Sequence, residues 1–209
     1  MVTASSPERS EPGYRFDFCG GHVAIDFTNT VGSRGSEPQE HFQTYGDVVA
    51  WLEAREMVSA AGAARLRHEA AADPPAAARA YHRALELREV LYRLMAARTA
   101  HRPPRAADLE TLNAFVAETF SRARLAKKGR ELTLVMDDDR PELAAALNPV
   151  IRAAIELLTA PAMNRVRVCG DPACGWLFLD TTRSGTRRWC DMQTCGNRAK
   201  VRRFRRRQA

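Results

Sequence analysis

Residues 165–209 have the sequence RVRVCGDPACGWLFLDTTRSGTRRWCDMQTCGNRAKVRRFRRRQA, and this stretch decides how the C-terminal part of the chain folds. It contains two C-x4-C pairs, which are separated by fifteen residues. Four thiolates bind zinc as a tetrahedron that leaves no coordination position for a catalytic water. We therefore predict one structural zinc ion, which would supply roughly 10 kcal/mol or more of folding free energy to so small a module. The predicted ligands are Cys169, Cys174, Cys190 and Cys195.

Two alternatives compete with zinc for these cysteines. One is a pair of disulfides, which occur mainly in oxidising compartments. The N-terminal residues MVTASSPERSEPG lack the apolar stretch of a signal peptide, so we expect a cytoplasmic protein whose paired cysteines bind metal. The other is an iron site of the rubredoxin kind, whose loops usually have tighter spacing. The fifth cysteine, Cys19, lies between apolar residues and is expected to be a buried, inert thiol.

The residues around the cysteines predict a treble-clef-like zinc finger. Gly170 and the pair Asp171-Pro172 favour a tight reversal of the chain inside the first C-x4-C pair. Residues 175–189 alternate apolar side chains and then turn near Ser184-Gly185, which predicts a β-hairpin. The second pair is expected to open a helix that starts near Cys195.

The predicted C-terminal helix is strongly basic. At about 100° per residue, Val201 and Phe204 share one side of it, and we expect that side to dock on the zinc core. Arginines occupy another side, and a guanidinium group donates two hydrogen bonds to a phosphate at once. A helix also fits the major groove of B-DNA. The candidate nucleic-acid contacts are Arg198, Arg202, Arg205 and Arg206 on the helix, with Arg183, Arg187 and Arg188 on the hairpin.

Positive charge is concentrated at the C-terminal end. The chain has 32 Lys and Arg against 25 Asp and Glu, a net charge of +7. Residues 165–209 hold 12 basic and 3 acidic residues, a net of +9, so the remainder has a net of −2. This asymmetry favours nucleic acid as a partner, and we prefer DNA to RNA. A solvated basic tail and contact with an acidic protein surface are the alternatives. A symmetric DNA site would require a homodimer.

The rest of the chain predicts an α+β fold that is mainly helical with a small β-hairpin or sheet. The polar residues 1–13 predict a disordered leader, and no run of 18 apolar residues predicts a membrane span. Residues 14–30 alternate apolar and polar around Gly20-Gly21, which predicts two strands joined by a turn. A polar loop is expected over 31–43. Helices are predicted from Asp47, after Gly62, over 76–98 and from about Asp108.

Two further segments lie before the cysteines. Residues 131–136, with the sequence ELTLVM, predict a strand. Pro141 suits the first turn of a helix that would run to about Thr159. Pro149 lies inside that segment and predicts either a kink or two shorter helices.

Asp26, Asn29 and Thr30 form a polar group at the end of the predicted second strand. One hypothesis makes them the binding site of a small effector, because strand ends often carry ligand groups. The alternative, which we favour, is that they bond to neighbouring backbone. The five histidines show no ligand spacing, and neither a catalytic triad order nor a phosphate-binding glycine loop is visible. We therefore expect no enzyme activity.

Two motifs carry a resemblance to known families. Cys195-Gly196-Asn197-Arg198, together with the C-x4-C pairs, resembles the CGNR zinc finger. Residues 24–30, with the sequence AIDFTNT, resemble the LDFxNT signature of the ABATE domain, with Ile25 where Leu is usual. The resemblance implies an ABATE-like α+β domain over 14–160 and a CGNR-type finger over 163–209. It further implies a bacterial, stress-related transcription regulator whose finger binds zinc and DNA.

Overall fold

The computed structural model describes residues 15–121, 123–136 and 143–208. The predicted leader over 1–13 and the predicted role of Pro141 lie outside the described residues. Among the described residues, no helix is both long enough and apolar enough to cross a membrane.

The longest helix, α4, is the central element of the N-terminal part. Asp73 caps it by accepting a hydrogen bond from the backbone N–H of Ala76, and prolines occupy its first turn, where a missing N–H costs nothing. A buried stripe that includes Leu87 and Leu91 runs along it, so the predicted helix over 76–98 is confirmed. The helices are α1 Val23–Thr28, α2 Tyr45–Ala54, α3 Ala60–Ala72, α4 Pro74–Thr99, α5 Ala106–Phe120, α6 Asn148–Thr159 and α7 Asn197–Gln208.

Pro149 separates two helical segments, as one of the two alternatives predicted. A 3-10 helix over Leu143–Leu147 ends where α6 begins at Asn148. Pro149 thus occupies the first turn of α6, where its fixed φ fits and its missing N–H removes no internal hydrogen bond.

The predicted hairpin over 14–30 is wrong, because its second half is the helix α1. His22 caps this helix through Nδ1, which accepts a hydrogen bond of 3.2 Å from the backbone N–H of Ala24. Residues 24–28 are all buried, since α1 packs against both α4 and α6. A helix buried on every side has no polar face, so its sequence lacks the periodicity that distinguishes a helix from a strand.

Three small antiparallel sheets are present among the described residues. The strand predicted over 131–136 is confirmed, and its partner is the preceding strand, with Leu125 opposite Leu134. The hairpin predicted over 175–189 is wrong. Only Leu177–Leu179 of that segment is a strand, and it pairs with Val166–Val168, upstream of the first cysteine. The strands are β1 Val31–Gly32, β2 Gln39–Glu40, β3 Ala123–Lys128, β4 Glu131–Met136, β5 Val166–Val168 and β6 Leu177–Leu179.

The N-terminal part and the C-terminal part share one hydrophobic core. We call residues 15–160 the body and residues 163–208 the finger. Phe27, Phe42 and Trp51 pack edge-on or tilted in the body, with ring centroids 5.2 to 6.0 Å apart. Val166 and Leu177 of the finger belong to the same buried cluster. Burial of these finger residues therefore requires the folded body.

A set of hydrogen bonds, which we call the clasp, ties the body to β6. The Asn29 side chain donates from Nδ2 to the carbonyl oxygen of Leu177 at 2.9 Å and accepts from its N–H at 3.0 Å. The side chain therefore pairs both backbone hydrogen-bonding groups of the buried residue Leu177, as a neighbouring strand would. The Leu179 N–H donates to the Gly20 carbonyl at 2.8 Å, and Trp176 Nε1 donates to the Val31 carbonyl at 2.7 Å.

We predict that Asn29→Ala lowers the free energy of unfolding by about 2–5 kcal/mol, because it leaves two buried backbone groups of Leu177 unpaired at about 1–3 kcal/mol each. Urea unfolding of the full chain measures the change. The matched control is Asn164→Ala, at an exposed asparagine, which should stay within about 0.5 kcal/mol. Equal small effects of both variants would contradict the role of the clasp.

Candidate metal centre

The four cysteines of the finger converge on one point. Their sulfur atoms all lie within 4.8 Å of one another. The Sγ atoms of Cys174 and Cys190 are 3.7 Å apart, and so are those of Cys190 and Cys195. A tetrahedral zinc with sulfur ligands at ~2.3 Å places neighbouring sulfurs ~3.8 Å apart. The cluster therefore fits a structural zinc ion, as predicted from the spacing.

The cluster is buried, and its chemistry favours a cation. The exposed fraction of each of the four cysteines is 6% or less. Hydrogen bonds from Cys174 and Cys190 lower the pKa of Cys169, whereas the same crowding raises the pKa of Cys190. Without a cation, a thiolate at Cys169 is stabilised by hydrogen bonds from neighbouring thiols, and those thiols must then stay protonated. A divalent metal removes this conflict because all four sulfurs can then be thiolates.

The first cysteine pair lies in a tight loop that the body supports. The Cys169 N–H donates to the Trp176 carbonyl at 2.7 Å, and the Cys174 N–H donates to the Asp171 carbonyl at 2.9 Å. A body loop packs on this reversal, where the Arg34 N–H donates to the Cys174 carbonyl at 3.0 Å. A Cβ at Gly35 would lie 1.8 Å from the Pro172 carbonyl oxygen, so only glycine permits this approach.

The second cysteine pair leads directly into α7. A π-helical turn over Met192–Gly196 carries Cys195, and the Asp191 side chain caps it by accepting from the Thr194 N–H at 2.7 Å. The helix α7 begins at Asn197, whose side chain donates back to the Gln193 carbonyl at 2.8 Å. The helix predicted near Cys195 is thus present, and the metal ligand lies in the turn before it.

The predicted docking side of α7 is wrong. Val201 and Phe204 are 49% and 61% exposed, and no residue of α7 is buried. The helix docks instead through charge. Arg198 Nε and Arg202 Nη2 each lie 3.1 Å from a carboxylate oxygen of Asp171, a side chain with no exposed surface. Arg198 Nη2 also donates to the Cys195 sulfur at 3.0 Å. Leaving a buried carboxylate without opposite charge costs more free energy than leaving two apolar side chains partly exposed.

The three arginines predicted as contacts between β6 and the second cysteine pair have unequal positions. Arg187 is half-buried, and its guanidinium donates to the carbonyl oxygens of Trp189, Cys190 and Cys19 while lying over the Phe178 ring. It therefore fastens the finger internally. Four other predicted contacts, two in the same segment and two in α7, are exposed: Arg183, Arg188, Arg205 and Arg206.

Asp26, Asn29 and Thr30 lie in α1 and directly after it, and each bonds to neighbouring protein groups. Asp26 Oδ1 accepts from the Gly20 N–H at 2.9 Å, and Oδ2 lies 3.3 Å from Arg55. Thr30 Oγ1 donates to the Phe27 carbonyl at 2.8 Å. With Asn29 in the clasp, these bonds agree with the structural alternative that the sequence favoured. Cys19, expected to be buried, is half-buried and packs against the cysteine cluster.

A charged network, which sequence analysis missed, connects α4 to the finger. Arg34 makes two hydrogen bonds to Glu89, of 2.7 and 2.9 Å, and its guanidinium lies 4.1 Å from the Tyr92 ring centroid. Burial raises the pKa of Glu89, but the hydrogen bonds and charge of Arg34 outweigh it and lower that pKa. Tyr92 donates to the Gly175 carbonyl at 2.9 Å. The sequence signal that could have indicated this network is the pair Arg88-Glu89, two charged residues between the apolar residues Leu87 and Val90 of the predicted helix.

A cleft of about 750 Å³ lies between the body and α7. Ser33, Gln39 and His41 line it on the body side, and Val201, Arg202 and Arg205 line it on the helix side. Three of the four cysteines also reach its surface. Both parts of the chain thus border one open space beside the metal centre.

The fold and the site define a helical body fused to a four-cysteine zinc finger. Residues 21–161 match the ABATE model, described as "Putative stress-induced transcription regulator", and residues 165–208 match the CGNR zinc finger model. The chain therefore belongs to the ABATE family, in an architecture that ends in a CGNR finger. No protein among the curated sequences matches the chain. Both families are regulatory or zinc-finger families rather than enzyme families. The chain is thus a regulatory zinc-binding protein.

We predict one zinc ion per chain, lost in Cys195→Ser and retained in the control Cys19→Ser, because the four clustered sulfurs exclude Cys19. Elemental analysis of reduced, dialysed protein measures the content. Because finger residues complete the common core, chelation should also lower the melting temperature of the body, by about 4 °C or more. A body transition that ignores the chelator would contradict this coupling.

We predict that Asp26 makes stability depend on pH. Burial raises its pKa to about 6, and the unfolded value is about 3.9. The folded chain therefore holds this proton more tightly, so the contribution is greatest below about pH 4 and is lost as pH rises to about 6. Because asparagine does not titrate, the unfolding free energy of Asp26→Asn should lack this pH-dependent contribution, which amounts to up to about 3 kcal/mol in the parent. Urea unfolding at pH 4.5 and 7 measures it; a parent–variant difference that is independent of pH would refute the assignment.

Proposed function

We propose that this protein is a DNA-binding transcription regulator whose zinc finger presents α7 to DNA. The single observation that carries the proposal is the position of α7, an exposed basic helix that leaves directly from the cysteine cluster. The metal would fix where the helix starts, and Asp171 fixes its direction. A helix held at one end and exposed along its length can enter a major groove.

The charge distribution supports a polyanionic partner. The finger has a net charge of +9 and the remainder of the chain has −2. The exposed arginines of α7 lie on a helix without an acidic residue. Guanidinium groups donate paired hydrogen bonds to phosphate, and their attraction brings the partner in from a distance of about one Debye length.

Effector response through the body is the finer part of the proposal. In the clasp, the amide of Asn29 already uses both its donor and its acceptor on Leu177. We therefore propose that a small-molecule effector binds in the cleft beside α7 instead. A molecule there would contact both the body and the helix. We further propose a domain organisation with the body over 14–160 and the finger over 163–209, acting as a homodimer at symmetric sites.

The alternative is an RNA-binding or protein-interaction module that uses the same basic helix. Structured RNA also offers phosphates, and an acidic protein surface offers carboxylates. A-form RNA has a deep, narrow major groove that excludes a helix, so α7 could enter the major groove of duplex DNA but not that of duplex RNA. This difference provides the discriminating experiment.

We predict that the zinc-loaded chain binds random duplex DNA with an affinity that falls with salt, at a log–log slope of roughly −5 for about six phosphate contacts. Fluorescence anisotropy at several salt concentrations measures the slope, and competition with structured RNA ranks the two partners. Selection from random duplexes then tests for a preferred sequence. Binding that ignores salt, or that RNA displaces at equal concentration, would overturn the DNA proposal.

A further inference from the structure

The arginines of α7 divide into two groups by their contacts. Arg198 and Arg202 are ion-paired with Asp171, as described above. Among the described residues, five basic side chains of α7 have no ion pair or side-chain hydrogen bond: Lys200, Arg203, Arg205, Arg206 and Arg207. At about 100° per residue, Lys200, Arg203 and Arg207 lie roughly 120° or more from the side that faces Asp171, whereas Arg205 and Arg206 flank that side. The helix therefore has a clamped side and a free side.

The free side carries an aromatic group as well as charge. Phe204 lies next to Lys200 and Arg207 on the helix surface, at spacings of four and three residues, and is 61% exposed. We call Lys200, Arg203, Phe204 and Arg207 the outward face. An exposed phenylalanine beside cationic side chains is suited to nucleic acid, because the cations neutralise phosphates while the ring contacts a thymine methyl or a base edge.

The clamped side is poorly placed to bind phosphate. Asp171 has no exposed side-chain surface, and the structure pairs its charge with these two arginines. Moving Arg198 to a phosphate would leave a buried carboxylate under-compensated and would also release the hydrogen bond to the Cys195 sulfur. The ion pairs of Arg198 and Arg202 with Asp171 are therefore more favourable than contacts of these two arginines with phosphate.

We propose a division of labour on α7, in which the outward face contacts DNA and Arg198 and Arg202 are positioning residues that aim it through Asp171. This inference rests on the proposed DNA-binding function and names the surface that performs it. It also reassigns Arg198 and Arg202, which the sequence pattern favoured as contacts, and it leaves Arg205 and Arg206, which are exposed and flank the clamped side, outside both groups. Asp171, in the first cysteine loop, becomes the group that connects metal binding to helix direction.

The salt dependence of binding separates the two groups. Arg203→Gln and Arg207→Gln should each reduce the slope of log affinity against log salt by about one, because each removes a phosphate contact. The matched variant Arg198→Gln, with the same charge change, should lower affinity but keep the parent slope. Phe204→Ala should keep the slope and weaken preference among selected sequences. A slope that falls in Arg198→Gln and stays constant in Arg203→Gln would overturn the assignment.

The clamp is tested without nucleic acid. Hydrogen exchange of α7 amides in the zinc-loaded chain should accelerate at least about tenfold in Asp171→Asn and Arg198→Gln, and stay at the parent rate in Arg203→Gln. Elemental analysis confirms that each variant keeps its zinc. Unchanged exchange in Asp171→Asn would overturn the clamp. If the parent binds no nucleic acid, the proposed function and the outward face fail together, whereas hydrogen exchange still decides the clamp.

Discussion

The convergence of four thiols on one point is the constraint on which the C-terminal part depends. Their sulfur spacing matches the edge of a zinc tetrahedron, and the residues around them have few other buried contacts. The π-helical turn that precedes α7 carries one ligand and therefore transmits the position of the metal to the start of the helix. A finger whose hydrophobic cluster consists mainly of cysteines gains its order from coordination rather than from apolar burial.

The body supplies what the metal does not. It contributes the strand-like pairing from Asn29 and the loop that covers the first cysteine pair. The network from Glu89 through Arg34 and Tyr92 reaches Gly175, the residue that follows a metal ligand. Body and finger therefore form a continuous set of contacts, although two separate family models match them. The LDFxNT-like segment marks this junction, since its asparagine forms the clasp.

Sequence patterns predicted the features that local chemistry determines. The cysteine ligands followed from spacing, and α4 followed from its cap, its prolines and its apolar stripe. The helix α1 was missed because it is short and buried on every side, so no periodicity remained. The partner of β6 was missed because β5 precedes the first cysteine, outside the segment whose pattern suggested a hairpin. Pairing across a metal loop is a tertiary choice that composition does not encode.

The side on which α7 docks shows why local pattern fails at such a site. Amphipathic spacing favours burying Val201 and Phe204, which is a gain that scales with apolar area. The competing requirement is the buried carboxylate of Asp171, twenty-seven positions before Arg198, and an uncompensated charge costs more than exposure of one or two apolar side chains. The helix therefore turns its arginines inward near its start. The same rotation places the outward face, with Phe204, away from Asp171, so the ion pairs that the finger itself requires determine which face is available to a partner.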